Sequence, residues 1–192
     1  MAENAQKERE RAELTRRERE ARREIRVIGD PVLREKAREV TVFDRSLRKL
    51  AKRMIRTMHD APGVGLAAPQ VGVLQRVLVY DVDEDPRVLV NPVLDEFSDE
   101  VEEVDEGCLS VPGLTMPVER PVSVRVRAVD TDGEPLEYRA EGFEARVIQH
   151  EYDHLEGVLI VDRTSRSARA AAMRALRERE DAGMVGAVGG GL

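Results

Sequence analysis

The apolar positions change period along the chain, and each period predicts an element. From Asp44, which reads as an N-cap, Leu47, Leu50, Met54 and Met58 recur at helical spacing until Pro62 and Gly63 end the run. Residues 77–82, 88–92 and 122–129 read as strands, the last alternating Val-Ser-Val-Arg-Val-Arg. Asp132-Gly133 marks a hairpin turn into a strand over 136–140, and the acidic stretch 96–106 reads mainly as a solvated strand face. A second helical stripe carries Phe143, Val147, His150 and His154, with Ile148, Glu151 and Leu155 on its flank. Arg146, Gln149, Asp153 and Glu156 take the opposite face, and Gly157 is placed to end the helix. Alanines set against arginines predict a last helix from about Ser165 to Asp181. Strands gathered ahead of one central helix predict an α+β fold rather than alternating βαβ units: mostly antiparallel strands around the helix with the His-Glu-Tyr-Asp-His run, and a C-terminal helix.

The ends differ from the middle. Residues 1–24 are nearly all Glu, Arg, Gln and Ala with no apolar stripe, which predicts a solvated helix or a disordered arm. A single catalytic-sized domain is expected over 25–182, opening where Ile25, Val27 and Ile28 precede the Gly29-Asp30-Pro31 turn. Residues 183–192 are glycine-rich and expected to be a loose tail. A net charge of −7 argues against a general or sequence-specific nucleic-acid binder, although Arg166, Arg169, Arg174 and Arg177 make a local basic set. The single cysteine, Cys108, permits no internal disulfide. No run is apolar enough for a membrane span, and the N-terminus lacks a secretory leader's apolar core, so a soluble cytoplasmic protein is expected.

The chemistry concentrates on the central helix. Histidines at i and i+4 share one helix face and can reach one cation, and Glu151 beside the first can carry a proton. The bland alternative is two histidines that merely belong to an amphipathic helix. Two of the chain's three histidines nonetheless fall on this buried stripe, where an imidazole needs a polar partner. His59 has no ligand-like spacing to them and reads as structural or solvent-facing. A catalytic site of this kind takes three protein ligands. Ile160 stands where one metalloprotease pattern puts the third, and Glu178 and Glu180 are the downstream acids. Cys108, in the turn-like Glu106-Gly107-Cys108-Leu109-Ser110, is the better candidate as a thiolate, against the reading of a small buried hydrophobe. The loop Gly63-Val64-Gly65-Leu66-Ala67-Ala68-Pro69-Gln70 fits neither a phosphate loop nor a dinucleotide fingerprint; its glycines allow close backbone approach and Gln70 offers a neutral amide.

Taken in order, GVGLAAPQ at 63–70, EGCLS at 106–110 and QHEYDHLEG at 149–157 resemble the peptide deformylases, over roughly residues 25–162. The resemblance implies one divalent ion held by Cys108, His150 and His154, usually ferrous iron, with zinc, nickel or cobalt as substitutes. It implies hydrolysis of the formyl group from N-formylmethionyl peptides: an activated water attacks the formyl carbon with Glu151 as general base. Gln70 and the Leu109 N–H would hold the oxyanion. The peptide would lie extended along the Val64, Gly65 and Leu66 backbone, its methionine against Val64, Phe143 and Val147. Separately from the resemblance, Glu106 is expected to find Arg120 as partner, the alternative being a merely solvated acid; the resemblance implies that the C-terminal helix docks on the ribosome, the alternative being a solvated helix. Two rivals stand beside this reading: a peptidase with a different third ligand, and a catalytically silent adaptor.

Overall fold

Asp44 opens a helix because its carboxylate accepts from the Ser46 and Leu47 N–H groups at 2.8 and 3.1 Å, satisfying donors that have no partner within the first turn. In the computed structural model, which describes residues 2–181, this helix is α2 (Arg45–Asp60), preceded by α1 (Ala2–Glu24). The strands β1 (Gly65–Ala67), β2 (Val77–Tyr80) and β3 (Arg87–Asp95) follow. Then come β4 (Val101–Cys108), β5 (Val111–Pro121), β6 (Ser123–Val129) and β7 (Pro135–Glu141). The chain continues through α3 (Gly142–Leu155), the short α4 (Ile160–Arg163) and α5 (Arg166–Asp181). The expected loose tail over 183–192 lies outside the described residues.

Every strand pair is antiparallel: a five-stranded sheet in the order β1-β2-β3-β6-β7, and a separate β4-β5 ribbon. β2 is buried on both faces because alternate residues serve different cores. Val77 and Val79 meet Leu47, Met54 and Met58 of α2, while Leu78 and Tyr80 meet Ile148 and Leu155 of α3. A third core joins Val111 and Val118 of β5 to Ile160 of α4 and to Ala172 and Leu176 of α5. α3 is therefore wedged between the sheet and the ribbon, with the α+β arrangement around it.

Three sequence expectations need correction. The face of α3 carrying Arg146, Gln149 and Asp153 is not solvated: all three are buried, each holding partners across the fold. Gly157 does stop the helix as expected: α3 ends at Leu155 with Glu156 as its cap, and Gly157 follows in a left-handed conformation (φ 72°), where a Cβ would lie 2.6 Å from the Arg34 carbonyl oxygen. The strand β5 was not anticipated at all, since Pro112, Gly113, Pro117 and Pro121 interrupt its alternation. The N-terminal segment also docks without an apolar stripe. Ala21 is buried in the α2 core, Arg53 pairs with Glu24 at 3.3 Å, and the Thr57 hydroxyl donates to Glu24 at 3.4 Å. His59 is half-exposed and contacts Asp81 at 2.8 Å, in keeping with a structural role.

Candidate metal centre

Cys108 ends β4, where the register with β5 shifts between Gly107 and Cys108. Such an irregularity re-aims a side chain, and here the sulfur meets α3. Its Sγ lies 3.3 Å from His154 Nε2. Ligand atoms of Cys108, His150 and His154 all lie within 4.8 Å of one another, so small side-chain rotations bring all three within the roughly 2.0–2.3 Å bond lengths of a common ion. The two rings stand edge to face, 5.2 Å between centroids.

Each imidazole is set for the task by its surroundings. His150 Nδ1 is 3.0 Å from a Glu106 carboxylate oxygen, so this nitrogen is the one that donates to the acid, and Nε2 is the nitrogen that gives up its proton when an ion binds. Burial and the charges of His150, Arg120 and Arg34 push His154 well below the usual histidine range, which keeps it neutral. Burial alone would lower His150 too, but the Cys108 sulfur and the Glu106 carboxylate drive it well above the ordinary value. The centre therefore calls for positive charge beside the sulfur. One thiol and two imidazoles are a donor set that suits a borderline divalent transition metal, and the site fits such an ion.

Glu106 is itself held in place. Arg120 grips it through Nε and Nη2 at 2.6 and 3.0 Å, and Arg146 donates at 2.9 Å. Burial would raise this carboxyl, but hydrogen bonds from His150 and Arg120 hold it down at about 2. The Arg120 guanidinium also donates to Asp153 at 2.9 Å, tying α3 to the ribbon from a second point. The pairing of Glu106 with Arg120 expected from the sequence is thus present, as part of a larger network.

Glu151 is buried, and burial raises its carboxyl to about 7. Its Oε2 has no hydrogen-bond partner among the described residues. Gly65 of β1 makes room for it: a Cβ there would sit 2.4 Å from Oε1. Gln70 is locked by the Ala67 N–H, which donates to its Oε1 at 2.7 Å. Its Nε2 donates to Ser110 Oγ at 3.1 Å and lies 3.8 Å from the Cys108 sulfur.

Gln70, Glu106, Cys108, His150 and Glu151 line one cleft of about 810 Å³, with His154 behind Cys108. Val64, Gly65, Leu109, Phe143 and Val147, singled out in the sequence, all contribute to its walls; Val64 and Phe143 are exposed there and Val147 is buried. Glu178 lies exposed on α5, outside the cysteine–histidine cluster. Sequence reasoning missed Val104, Leu114 and Arg22 in the cleft wall, and Ser110 as the partner of Gln70. Strand alternation could have found Val104, two residues before Glu106 and so on the same face. Nothing local marks Arg22, which reaches the cleft only because α1 docks on α2.

Comparison with known proteins agrees with this geometry. The polypeptide deformylase family model matches residues 22–170. A peptide deformylase of Acidothermus cellulolyticus is 53% identical over 161 residues, which are 84% of this chain and 89% of that relative. The crystal structure of the Thermotoga maritima enzyme is 52% identical with a TM-score of 0.72, covering 73% of this chain and 96% of its own. The Legionella pneumophila peptide deformylase structure gives 42% identity and a TM-score of 0.79, over 85% of this chain and 98% of its own. With the three sequence blocks meeting at one buried centre, these likenesses place the chain in the polypeptide deformylase family, metal-dependent hydrolases that remove the formyl group from the N-terminus of nascent polypeptides.

Proposed function

We propose that Cys108, His150 and His154 hold one ferrous ion, and that Glu151 is the general base and later the general acid in deformylation of N-formylmethionyl peptides. The observation that carries this is the meeting of the three ligand atoms within 4.8 Å beside a buried, unpartnered carboxylate oxygen. When bound, a divalent ion supplies Lewis acidity, lowering the pKa of water toward neutrality and drawing charge from the formyl oxygen. Glu151 takes the proton of the attacking water through Oε2 and hands it to the departing amine, so that formate and a free N-terminus result. The Gln70 amide, its far oxygen engaged by Ala67, presents Nε2 to the developing oxyanion together with the Leu109 N–H.

β1 is an edge strand, paired only with β2, and its Gly65 abuts Glu151. An extended substrate adds to the open edge beside Val64, Gly65 and Leu66, with the methionine side chain against Val64, Phe143 and Val147. Zinc, nickel or cobalt would occupy the same ligands, and oxidation of Cys108 would abolish binding of any of them. Among the described residues no helix is long and apolar enough to cross a membrane; we place the activity in the cytoplasm, where formylated chains arise. Protein purified without oxygen and loaded with iron should release formate from formyl-Met-Ala-Ser, with a collapse in Glu151→Gln at unchanged metal content. An iron- or nickel-loaded parent that releases none would refute the assignment.

We also propose that α5 docks on ribosomal RNA. Its Arg166, Arg169, Arg174 and Arg177 are exposed, while Ala172 and Leu176 pin the helix to β5. Changing the four arginines to glutamine should weaken ribosome binding and flatten its salt dependence. Binding that does not change would reject the docking.

A further inference from the structure

The cleft is electrically lopsided. Glu102 and Asp105 line it along with Phe143 and Arg146, and the Arg146 guanidinium donates to the Glu102 carbonyl, so these groups share one end. Pro62 and Gly63 line the other end, where α2 gives way to β1. Arg22 lines the cleft as well, and α1 delivers it to that second end: Ala21 is buried in the α2 core with Met58 and Ala61, and Glu24 pairs with Arg53. Of the lysines and arginines lining the cleft among the described residues, the other is Arg146, which is buried and spent on Glu106 and on the Val118 and Glu102 carbonyls. Arg22 donates at 2.9 Å to Glu18, one turn earlier, in a pair whose side chains are 46% and 41% exposed. An exposed pair of this kind is worth little and exchanges readily for another carboxylate.

The direction of the substrate follows from Gly65. Its contact with Glu151 fixes the reacting end there; Leu66 and Ala67 beyond it are fully buried, whereas Val64, Gly63 and Pro62 line the cleft, so the peptide leaves past these, antiparallel to the chain. At about 3.3 Å per residue, the second or third residue after the methionine reaches the Pro62 end. We infer, resting on the deformylase reading above, that Arg22 is a specificity-determining residue that favours a substrate carboxylate two or three residues beyond the methionine. The α1 segment that delivers it lies almost wholly before residue 22, where the family match begins.

The test compares kcat/KM for formyl-Met-Ala-Glu-amide and formyl-Met-Ala-Lys-amide, and for formyl-Met-Ala-Ser with a free or an amidated terminus, using iron-loaded parent, Arg22→Gln, Arg22→Lys and Arg22→Glu. The parent should prefer Glu to Lys by about two- to fivefold at low salt, the range that one exposed charge pair supplies. The preference should reside in KM, persist in Arg22→Lys, vanish in Arg22→Gln and invert in Arg22→Glu. A change confined to the Glu and Lys pair assigns the contact to a side chain, and one confined to the free and amidated pair assigns it to the chain terminus. Formate release with ratios identical in parent and Arg22→Glu would overturn the inference alone; no formate from any peptide would remove the activity and the inference together.

Discussion

Gly65 shows how tightly the Glu151 carboxylate is enclosed. A methyl group at this position would meet Glu151 Oε1 at 2.4 Å and its Cγ at 2.8 Å, with the helix behind unable to retreat because α3 is packed on both sides. Gly65→Ala should therefore fold and bind metal yet lose on the order of a hundredfold in kcat, since misplacement of about 1 Å near reacting atoms has that effect. Activity within a few fold of the parent would mean that Glu151 does not need its observed position. Glu106 makes a second case. Glu106→Gln should lower metal affinity by about 10- to 100-fold, measured by competition with a chelator, because the carboxylate orients and polarises His150. Glu106→Ala should also destabilise the protein by about 3–5 kcal/mol, because it strips a partner from buried Arg120 and Arg146. Exchanging Glu106 and Arg120 should not restore function: His150 and Arg146 also lean on the acid, and Asp153 on the base.

The elements explain what could be read in advance. The α2 stripe and its cap are local, as are the alternation of β6 and the His-Glu-Tyr-Asp-His helix, so periodicity found them. β5 escaped because prolines and a glycine break its pattern while pairing with β4 holds it extended. Arg146, Gln149 and Asp153 resembled a wet face because their partners, Glu106, the Pro121 carbonyl and Arg120, lie far away in sequence. The cap of α2 carries a pH prediction. Hydrogen bonds from Ser46 and Leu47 lower the Asp44 carboxyl below its ordinary 3.8, so folding binds the charged form more favourably. This stabilisation is present above the unfolded value and is lost as pH falls through the lower folded value. Asp44→Ala should therefore melt earlier than the parent at pH 7, and the gap should close on acidification below about 4. A gap independent of pH would show that the cap does not act through its charge.

Across the whole molecule, the chemistry was legible because three short blocks each keep their residues together, and only their convergence needed coordinates. The edge strand of the sheet supplies Gly65, the short 3-10 turn after it (Ala68–Val71) supplies Gln70, the ribbon supplies Cys108 and Glu106, and α3 wedged between sheet and ribbon supplies the two imidazoles and Glu151. The entry of α1 into the cleft wall through Arg22 was not legible, since it depends on one buried alanine and one ion pair with α2. The proposed metal centre requires the sulfur to join the imidazoles around one ion. The most direct measurement is the metal content per chain of Cys108→Ala against the parent after anaerobic purification in iron. One ion per chain is expected in the parent and almost none in the variant; equal occupancy in both would rule out Cys108 as the third ligand and assign that place to some other residue.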